Sequence, residues 1–491
     1  MKKVYDNFDG GFANNDRRGA DNQFDIGRDL DIHRDLGYLK PGYLPTILAS
    51  TSQLASLVVD FAIRPVGTAP STPQVYAIET GKLHRISLAS DGIESTSPFP
   101  RTLPAGKDGK GVFFFDSTAE RNAIYYILED NIGKETNGTF DDDWLSTIPA
   151  GGGALNGFGE HPYLIWQNYF WIGNINKLGR FDGETGANGT WTAAALTLPQ
   201  GYSITALFET QNFIGICVWL NQESGSITPL ARYNTRTFVL LWDGVSPTYN
   251  YLIPITDNKI TAAKNVNGVV MLFTEGRNLE GALHILQAEG AKKIKRLRMN
   301  LAGTIINMDA PKVHALEIYD NKLLFGAADY DLIMAYGKAD EDTPPAFFQP
   351  LSNTAVSGGI VGAIKVVDTD KIYASFQVST TYTIKKFTTG NSTSAAWKPL
   401  YADFGQKVRI NYIKFYFKPL VASDSITAGI DIDYGTAVTL GIGSGNISYG
   451  NDGGITYKRF DIKRICHAFR PTIVWVAGGV AVAKVVIDFD Y

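Results

Sequence analysis

Cysteine is nearly absent from this chain of 491 residues, which contains only Cys217 and Cys466. Two cysteines exclude a disulfide framework and a zinc site built from several thiolates within one chain. Both lie in apolar, strand-like runs, where we expect buried thiols. The six histidines are scattered and show no spacing typical of a metal site, so we expect neither a metal centre nor another cofactor.

Long hydrophobic runs are also missing. No run reaches the roughly 18 apolar residues that a membrane-spanning helix needs. The N-terminus, MKKVYDNFDGGF, has two lysines but no apolar stretch behind them, unlike a secretory signal. The net charge of −4 gives no reason to expect a protein that wraps nucleic acid through its phosphates, although a local basic patch is compatible with it. We expect a protein that is made in the cytosol and stays soluble.

Glycine and aromatic residues are plentiful: 50 Gly, 24 Tyr and 27 Phe favour many short strands joined by tight turns. The clearest example is the stretch 163–183, YLIWQNYFWIGNINKLGRFDG. Two runs of aromatic and branched residues flank the polar pair Gln167-Asn168, and the segment closes on Asp182-Gly183. This pattern predicts two or three short antiparallel strands.

Similar strand pairs recur through the middle of the chain at intervals of 37 to 62 residues. The repeats begin near Val75, Val112, Tyr163, Leu207, Val269, His314 and Ile364. All-strand repeats of this length are typical of propeller blades. The sequence predicts an all-β protein with a degenerate β-propeller of about seven blades, six or eight remaining open.

The two ends of the chain differ from this middle region. Residues 1–60 are polar and charge-dense without clear periodicity, which favours an extended N-terminal arm. Residues 401–491 alternate apolar and polar positions between glycine-rich turns, which indicates strands with one wet face. We predict an arm over 1–60, a propeller over 61–400 and a small β-sandwich over 401–491.

One basic run stands out, and two interpretations of it compete. It comprises Lys292, Lys293, Lys295, Arg296 and Arg298. In a strand it could line a channel that carries nucleic acid. An outer-edge strand guarded by lysines against edge-to-edge pairing is the favoured alternative.

Acidic motifs carry little chemistry of their own. Asp141-Asp142-Asp143 favours a solvated loop between blades over a cation site. The segment beginning at Asp452, DGGITY, comes close to the Asp-box turn of sialidase-type propellers, but it occurs once and outside the repeats. We expect a turn-stabilising role for it.

The N-terminal arm contains a short element and a later turn made of Phe8, Gly10, Gly11, Phe12, Gly37, Leu39, Pro41 and Gly42. With these residues ahead of a degenerate propeller and a terminal strand-rich domain, the layout resembles the tail nozzle or hub proteins of tailed bacteriophages. The resemblance implies a non-enzymatic virion structural protein that forms a homo-oligomeric ring, expected to be a hexamer, around the DNA exit channel. It also implies portal or adaptor partners, non-specific contact with packaged DNA, and an arm that ties one subunit to the next.

A second class of function is a propeller that binds or cleaves carbohydrate on the host cell surface. It would require acidic residues from several blades to converge on one face of the central funnel. The acidic residues in or beside blade strands are Glu79, Glu129, Asp243 and Glu317. Nothing in their spacing pairs them.

Overall fold

A computed structural model shows an all-β protein with a seven-bladed propeller, which confirms the predicted fold class. Each blade is an antiparallel sheet with four main strands in chain order, except the last. The structure describes residues 1–8, 10–11, 23–35, 38–50, 52–66, 72–116, 123–157, 160–183, 189–220, 236–276, 280–301, 304–338, 345–351, 357–369, 371–438, 440 and 445–491.

The first four blades follow one another along the chain. Blade 1 comprises Asp60–Arg64, Gln74–Ile78, Lys82–Ser87 and Arg101–Thr102, with the short strand Gly92–Ile93 added to its third strand. Blade 2 comprises Gly109–Phe115, Ala123–Leu128, Ile132–Thr136 and Thr139–Asp141. Blade 3 comprises Tyr163–Trp166, Tyr169–Asn174, Lys177–Asp182 and Thr190–Thr197. Blade 4 comprises Tyr202–Glu209, Ile214–Leu220, Arg236–Trp242 and Tyr251–Ile255.

Blades 5 to 7 complete the ring. Blade 5 comprises Lys259–Val266, Val269–Glu275, Gly281–Gln287 and Gly290–Arg296. Blade 6 comprises Leu316–Tyr319, Lys322–Gly326, Ile333–Gly337 and Ala346–Phe348. Blade 7 comprises Ile360–Asp368, Lys371–Val378, Thr381–Asn391 and Tyr43–Ala49. The hairpin Arg298–Leu301 with Thr304–Asn307 joins blades 5 and 6, and Leu30–Asp31 pairs with Lys40–Pro41.

Two-residue turns explain why the first two strands of several blades pair as they do. Gln167 and Asn168 both have positive φ, 50° and 62°, and the flanking Trp166 and Tyr169 pair directly. The pairs Asn267-Gly268 in blade 5 and Asp320-Asn321 in blade 6 adopt the same conformation. Turns of this kind match the right-handed twist of a hairpin and favour Asn, Asp and Gly. The polar pair in the stretch 163–183 therefore sets the hairpin that the sequence predicts.

The ring closes with a strand from the N-terminal part of the chain. The contiguous sequence 360–391 supplies three strands of blade 7, and Tyr43–Ala49 supplies the fourth, with Ala49 opposite Ile384. The first strands of blades 7 and 1 lie beside each other. Part of the segment expected as a separate arm is thus the outer strand of a blade.

Both chain termini join one further sheet, here called the C-terminal sheet. Its nine described strands are Lys2–Tyr5, Phe24–Arg28, Ala396–Pro399, Ala402–Phe417, Ser425–Ile432, Thr436–Val438, Asn446–Ser448, Tyr457–Ala477 and Val482–Asp490. These strands are hydrogen-bonded into a single sheet, because the long strand Tyr457–Ala477 pairs with Ala402–Phe417 along one half and with Ser425–Ile432 along the other. The strands of the small β-sandwich predicted at 401–491 are therefore connected in one hydrogen-bonded network, to which residues 2–5 and 24–28 also belong.

Propeller and C-terminal sheet share one hydrophobic core. Phe8 and Leu39, from the N-terminal part of the chain, lie in the same buried cluster as Phe347 of blade 6 and Trp397 of the C-terminal sheet. The Trp397 ring meets Phe8 edge to face, with centroids 5.4 Å apart. Because the N-terminal residues fill the space between the two parts, they join propeller and sheet into one packed unit.

A separate aromatic cluster holds blades 2 and 3 together. Phe170 is fully buried, and its ring centroid lies 4.9 Å from Phe113 and 5.1 Å from Phe181. Trp144, on the one-turn helix Trp144–Thr147, packs on the same cluster. The other described helix, Tyr449–Asp452, is also one turn. In the described part of the chain no helix is long and apolar enough to cross a membrane.

Candidate functional site: the axial cavity

A cavity of about 400 Å³ lies at the centre of the ring of blades. Blades 1, 3, 4, 5, 6 and 7 contribute residues of their first strands to its wall, and we call it the axial cavity. The ionisable side chains that line it are Asp60, Tyr163, Glu209, Lys264, His314, Glu317 and Lys365. A concave site with several convergent polar groups is the usual form of a ligand site.

Part of the axis is filled by a polar cluster. The rings of Tyr163 and His314 stack with centroids 5.2 Å apart, and they belong to blade 3 and to the segment before blade 6. The Tyr163 hydroxyl donates to Asp60 Oδ2 at 2.8 Å and lies 3.0 Å from the carbonyl of Val112. Asp60 also accepts the backbone N–H groups of Phe61 and Val112. Because blades 3 and 6 lie on opposite sides of the ring, these contacts span the axis.

A chain of ion pairs lines another part of the cavity. The Glu317 carboxylate of blade 6 lies 3.0 Å from Lys365 Nζ of blade 7 and 4.0 Å from Lys264 Nζ of blade 5. On blade 4, Glu209 extends an exposed side chain. Going round the ring from blade 4 to blade 7, the charges alternate in sign.

This chemistry suits binding better than nucleophilic attack. Burial raises the pKa of the Tyr163 phenol well above its usual range, and the charge of Asp60 raises it further. The raised pKa favours the protonated phenol, which is the form that donates to Asp60. Glu317 is engaged by two ammonium groups, so its carboxylate holds blades together.

Of the acidic residues that the sequence offered as funnel candidates, Glu317 lines the axial cavity. Glu79 is buried in blade 1, where its carboxylate accepts the N–H groups of Ala55 and Ser56. Asp243 accepts N–H and O–H groups of Ser246 and so fixes the turn before the last strand of blade 4. These two residues are structural.

Glu129 lies 3.9 Å from Lys110 in blade 2 and is not among the residues that line the cavity. Asp60 and Glu209, by contrast, line it, and sequence reasoning missed both. Their signal was weak, because each lies at one end of an inner strand and becomes recognisable only once the register of that strand is known.

Blade 5 contains a second polar network that resembles a catalytic triad in composition only. His284 Nε2 lies 2.8 Å from Asp257 Oδ2 and 3.0 Å from Thr274 Oγ1. A triad needs the carboxylate and the nucleophile on different ring nitrogens, so that the imidazole can relay the proton. Here both partners share one nitrogen. The network ties the segment before blade 5 to its second and third strands.

Four residues of the basic run, Lys292, Lys293, Lys295 and Arg296, lie on the outer strand of blade 5, away from the axial cavity, and Arg298 begins the hairpin that follows. Lys293 pairs with Asp257 at 3.0 Å and Arg296 with Glu280 at 3.4 Å. Lys292 is exposed. The position is that of the guarded edge strand that the sequence favoured.

Lys295 differs from its neighbours because it is buried. Its ammonium group lies over the Phe347 ring, 4.5 Å from the centroid. Burial lowers the pKa of Lys295 to about 7, and the nearby charge of Arg298 contributes to that shift. The Lys295 side chain therefore packs between blades 5 and 6.

The described arm residues pack within their own chain. Phe8 is buried, Pro41 pairs with Leu30, and Gly10 lies in a turn. Phe12 and Gly37 lie outside the described residues.

Two arm glycines make close backbone contacts. At Gly11, which has φ +64°, a Cβ would lie 2.6 Å from the carbonyl oxygen of Phe347. At Gly42 a Cβ would lie 2.0 Å from that of Pro350. Any side chain at these positions would clash with backbone, so both glycines let the arm lie directly on blade 6 and the loop that follows it.

The remaining acidic motifs are structural. Asp142 accepts the Tyr126 hydroxyl at 2.6 Å and pairs with Arg101 at 2.5 Å. Asp452 accepts the N–H of Ser448 and pairs with Lys458, which is the turn-stabilising role expected of it. Within the described ranges no group of three or more His, Cys, Asp or Glu residues could hold a metal ion.

Both cysteines are buried, as predicted. Burial raises the pKa of the Cys466 thiol to about 11, and the charge of Asp433 contributes. Burial also raises the pKa of Cys217. Neither thiol is activated for chemistry.

Comparison with known proteins gives no family and no function for this chain. No protein-family model matches the chain, and no curated protein matches its sequence. Among solved structures, the Dos1 propeller is similar over 72% of this chain and 96% of its own, with 11% identity and a TM-score of 0.42. Raptor from Chaetomium thermophilum is similar over 71% of this chain, with 8% identity and a TM-score of 0.45, and the match spans only 29% of the Raptor chain.

Proposed function

We propose that this chain is a non-enzymatic structural protein of a bacteriophage tail, of the nozzle or hub type. It forms a ring of identical subunits, expected to be a hexamer, around the DNA exit channel of the virion and helps to retain or gate the genome. It is made in the host cytoplasm. Its partners are further copies of itself, a portal or adaptor protein, and packaged DNA in non-specific contact.

The observation that carries this proposal is the single packed unit formed by propeller, N-terminal residues and C-terminal sheet. The N-terminal ammonium donates to the carbonyl of Phe489 at 2.7 Å, and buried Arg470 pairs with Asp25 at 2.6 Å. Such contacts hold the first residues onto the last strands. A block of this kind suits a ring that must resist internal pressure without disulfides.

The outer strands of the blades supply surfaces for subunit contact. Ile47 is 62% exposed on the outer strand of blade 7, and Tyr251 is 57% exposed on that of blade 4. Neither strand contains a charged residue, whereas the outer strand of blade 5 carries lysines and that of blade 6 is buried. Two different apolar edges on distant blades favour head-to-tail contacts, which give a ring when the rotation from subunit to subunit closes.

The DNA path in this proposal is the axis of the subunit ring. Tyr163 and His314 fill part of the propeller's own axis, so a duplex would not thread it. Exposed basic groups on the outer strand of blade 5, with Lys292 as the clearest, are available for non-specific phosphate contact.

The mass of the purified protein by light scattering, with negative-stain images, tests the proposal. We expect rings, or a monomer that becomes a ring when a portal or adaptor partner is added. A stable monomer that assembles under neither condition would overturn the proposal.

Charge placed on the apolar edges sharpens this test. Ile47→Lys and Tyr251→Lys should each abolish ring formation while leaving the fold intact, because both side chains are exposed. Val421→Lys, at a 64% exposed position in a loop of the C-terminal sheet, is the matched control and should still assemble.

A further inference from the structure

We propose that the axial cavity binds a small, neutral, hydroxyl-rich ligand, such as one sugar unit of a glycan, between Glu209 and Lys264. This activity is separate from ring formation, and a single subunit contains all the residues that it requires.

The two polar groups that define the site lie on neighbouring blades. The Asn265 amide donates to the backbone carbonyl of Glu209 at 2.8 Å and so fixes the inner strands of blades 4 and 5 together at this point. The Glu209 side chain is exposed, and its carboxylate accepts no hydrogen bond from the described residues. Lys264 Nζ is 4.0 Å from Glu317, which is beyond hydrogen-bond distance.

The pair therefore offers acceptors on one side and donors on the other. A carboxylate only accepts hydrogen bonds and an ammonium group only donates them. A hydroxyl does both, so neighbouring hydroxyls on one ligand can satisfy Glu209 and Lys264 together.

Other classes of ligand fit the cavity less well. A phosphate is an anion and would face the carboxylates of Glu209, Asp60 and Glu317. A polyamine cannot accept from Lys264 and would face Lys365 as well. An apolar ligand would strip water from charged groups without replacing their hydrogen bonds.

The rest of the wall supplies apolar contact. Ile165 is 39% exposed and lines the cavity together with Leu207 and Ile318. The C–H faces of a sugar ring can pack on such aliphatic side chains while its hydroxyls reach Glu209 and Lys264. The volume of about 400 Å³ lies within the range of small-molecule sites.

The site binds and does not cleave. Glycoside hydrolysis uses two carboxyl groups, one of them a proton donor, or a tyrosine nucleophile in some families. Asp60 accepts two N–H groups and the Tyr163 hydroxyl, and Glu317 is paired with Lys365 at 3.0 Å. Neither is available to protonate a leaving group.

Ligand-observed NMR on the full chain tests the proposal with glucose, galactose and N-acetylglucosamine as probes. Inorganic phosphate and spermidine are tested beside them. We expect at least one sugar to bind with a Kd on the order of millimolar, as single sugar-sized ligands do in open sites. Glu209→Gln and Lys264→Met should each weaken that binding at least tenfold. Glu289→Gln, which changes an exposed carboxylate in a turn of blade 5, is the matched control and should leave binding unchanged.

The proposal would be overturned if no sugar bound even with an affinity 100-fold weaker than expected. It would also be overturned if phosphate or spermidine bound at the site instead, or if a sugar bound equally well to wild type and Glu209→Gln. Folding is checked for each variant by its thermal unfolding, which Glu209→Gln should not change, because the side chain is exposed. Since binding is measured whether or not the protein assembles, failure here leaves the ring proposal standing, and the reverse also holds.

Discussion

The junction between blades 2 and 3 is packed by an aromatic cluster, whereas the junction between blades 7 and 1 adds charged hydrogen bonds to a buried apolar cluster of its own. At the first, Phe113, Phe170 and Phe181 form a buried aromatic cluster. At the second, Asp91 of blade 1 accepts hydrogen bonds from Lys371 and Lys386 of blade 7, at 2.9 and 2.7 Å. One junction joins neighbours in sequence, and the other joins parts of the chain almost 300 residues apart.

The difference indicates how a propeller without disulfides closes its ring. Apolar clusters are non-directional, and they suit blades that fold next to each other as the chain continues. Charged hydrogen bonds are directional and suit the fixing of one register between elements that are far apart in the sequence. At the closing junction they add to the strand Tyr43–Ala49, which blade 7 takes from the N-terminal part of the chain.

The largest effect should come from emptying the aromatic cluster. Phe170→Ala removes a fully buried ring and should lower the free energy of unfolding by about 3–5 kcal/mol, because a cavity remains where neighbours cannot collapse. Chemical denaturation measures this. Tyr249→Ala, at a 36% exposed position in blade 4, is the control and should cost less than about 1 kcal/mol. Equal losses in the two variants would contradict the account of this junction.

A smaller effect is expected at the closing junction. Partial burial of Asp91 works to raise its pKa, but hydrogen bonds from Lys386, Lys371 and Tyr373 outweigh it and lower the pKa to about 2. Asp91→Asn should therefore cost about 2 kcal/mol at pH 7.

The lowered pKa of Asp91 sets the direction in which its contribution to stability changes with pH. Because the folded pKa lies below the usual value of 3.8, the stabilisation by Asp91 is complete above about pH 4 and lost as the pH falls towards 2. The stability difference between wild type and variant, measured by denaturation from pH 7 to pH 2, should narrow in that window. A difference that stays constant down to pH 2 would show that the charge of Asp91 is not what stabilises the junction.

A single neutral donor at the same junction should contribute less. Tyr373→Phe removes the hydroxyl that donates to Asp91 at 2.8 Å and should cost about 1 kcal/mol. A double-mutant cycle with Asp91→Asn measures the coupling, which should account for most of that loss. Strict additivity of the two changes would indicate that the hydroxyl acts elsewhere.

The smallest effect is expected on the exposed outer strand of blade 5. Lys292→Gln should change the free energy of unfolding by less than about 0.5 kcal/mol, since the side chain is exposed. Thermal unfolding checks this. Lys293→Gln is the informative comparison, because it breaks the 3.0 Å pair with Asp257 and should cost more than Lys292→Gln.

Local features of the fold could be predicted from sequence. The hairpin at Gln167-Asn168 and the blade repeat depend on turn residues and strand patterns that lie within a few residues of each other. The repeat starting at Val75 corresponds to the second strand of blade 1, since its first strand, Asp60–Arg64, is short and follows an irregular segment. The number of blades was nevertheless right.

Long-range features could not be predicted. The pairing of Tyr43–Ala49 with blade 7 joins segments that are more than 300 residues apart, and no local pattern specifies such a partner. The axial cluster of Asp60, Tyr163 and His314 likewise draws on three distant segments. Glu317 was a candidate by its position in a strand, but its two lysine partners come from blades 5 and 7.

One measurement tests most directly the claim that each chain closes its own propeller. Ile47→Cys and Lys385→Cys place two thiols at directly opposed positions of the outer two strands of blade 7. After oxidation, non-reducing electrophoresis of the monomer and of any assembled rings should show a cross-link within one chain and no increase in mass. Covalent dimers or ladders, from strands exchanged between subunits, would contradict the account.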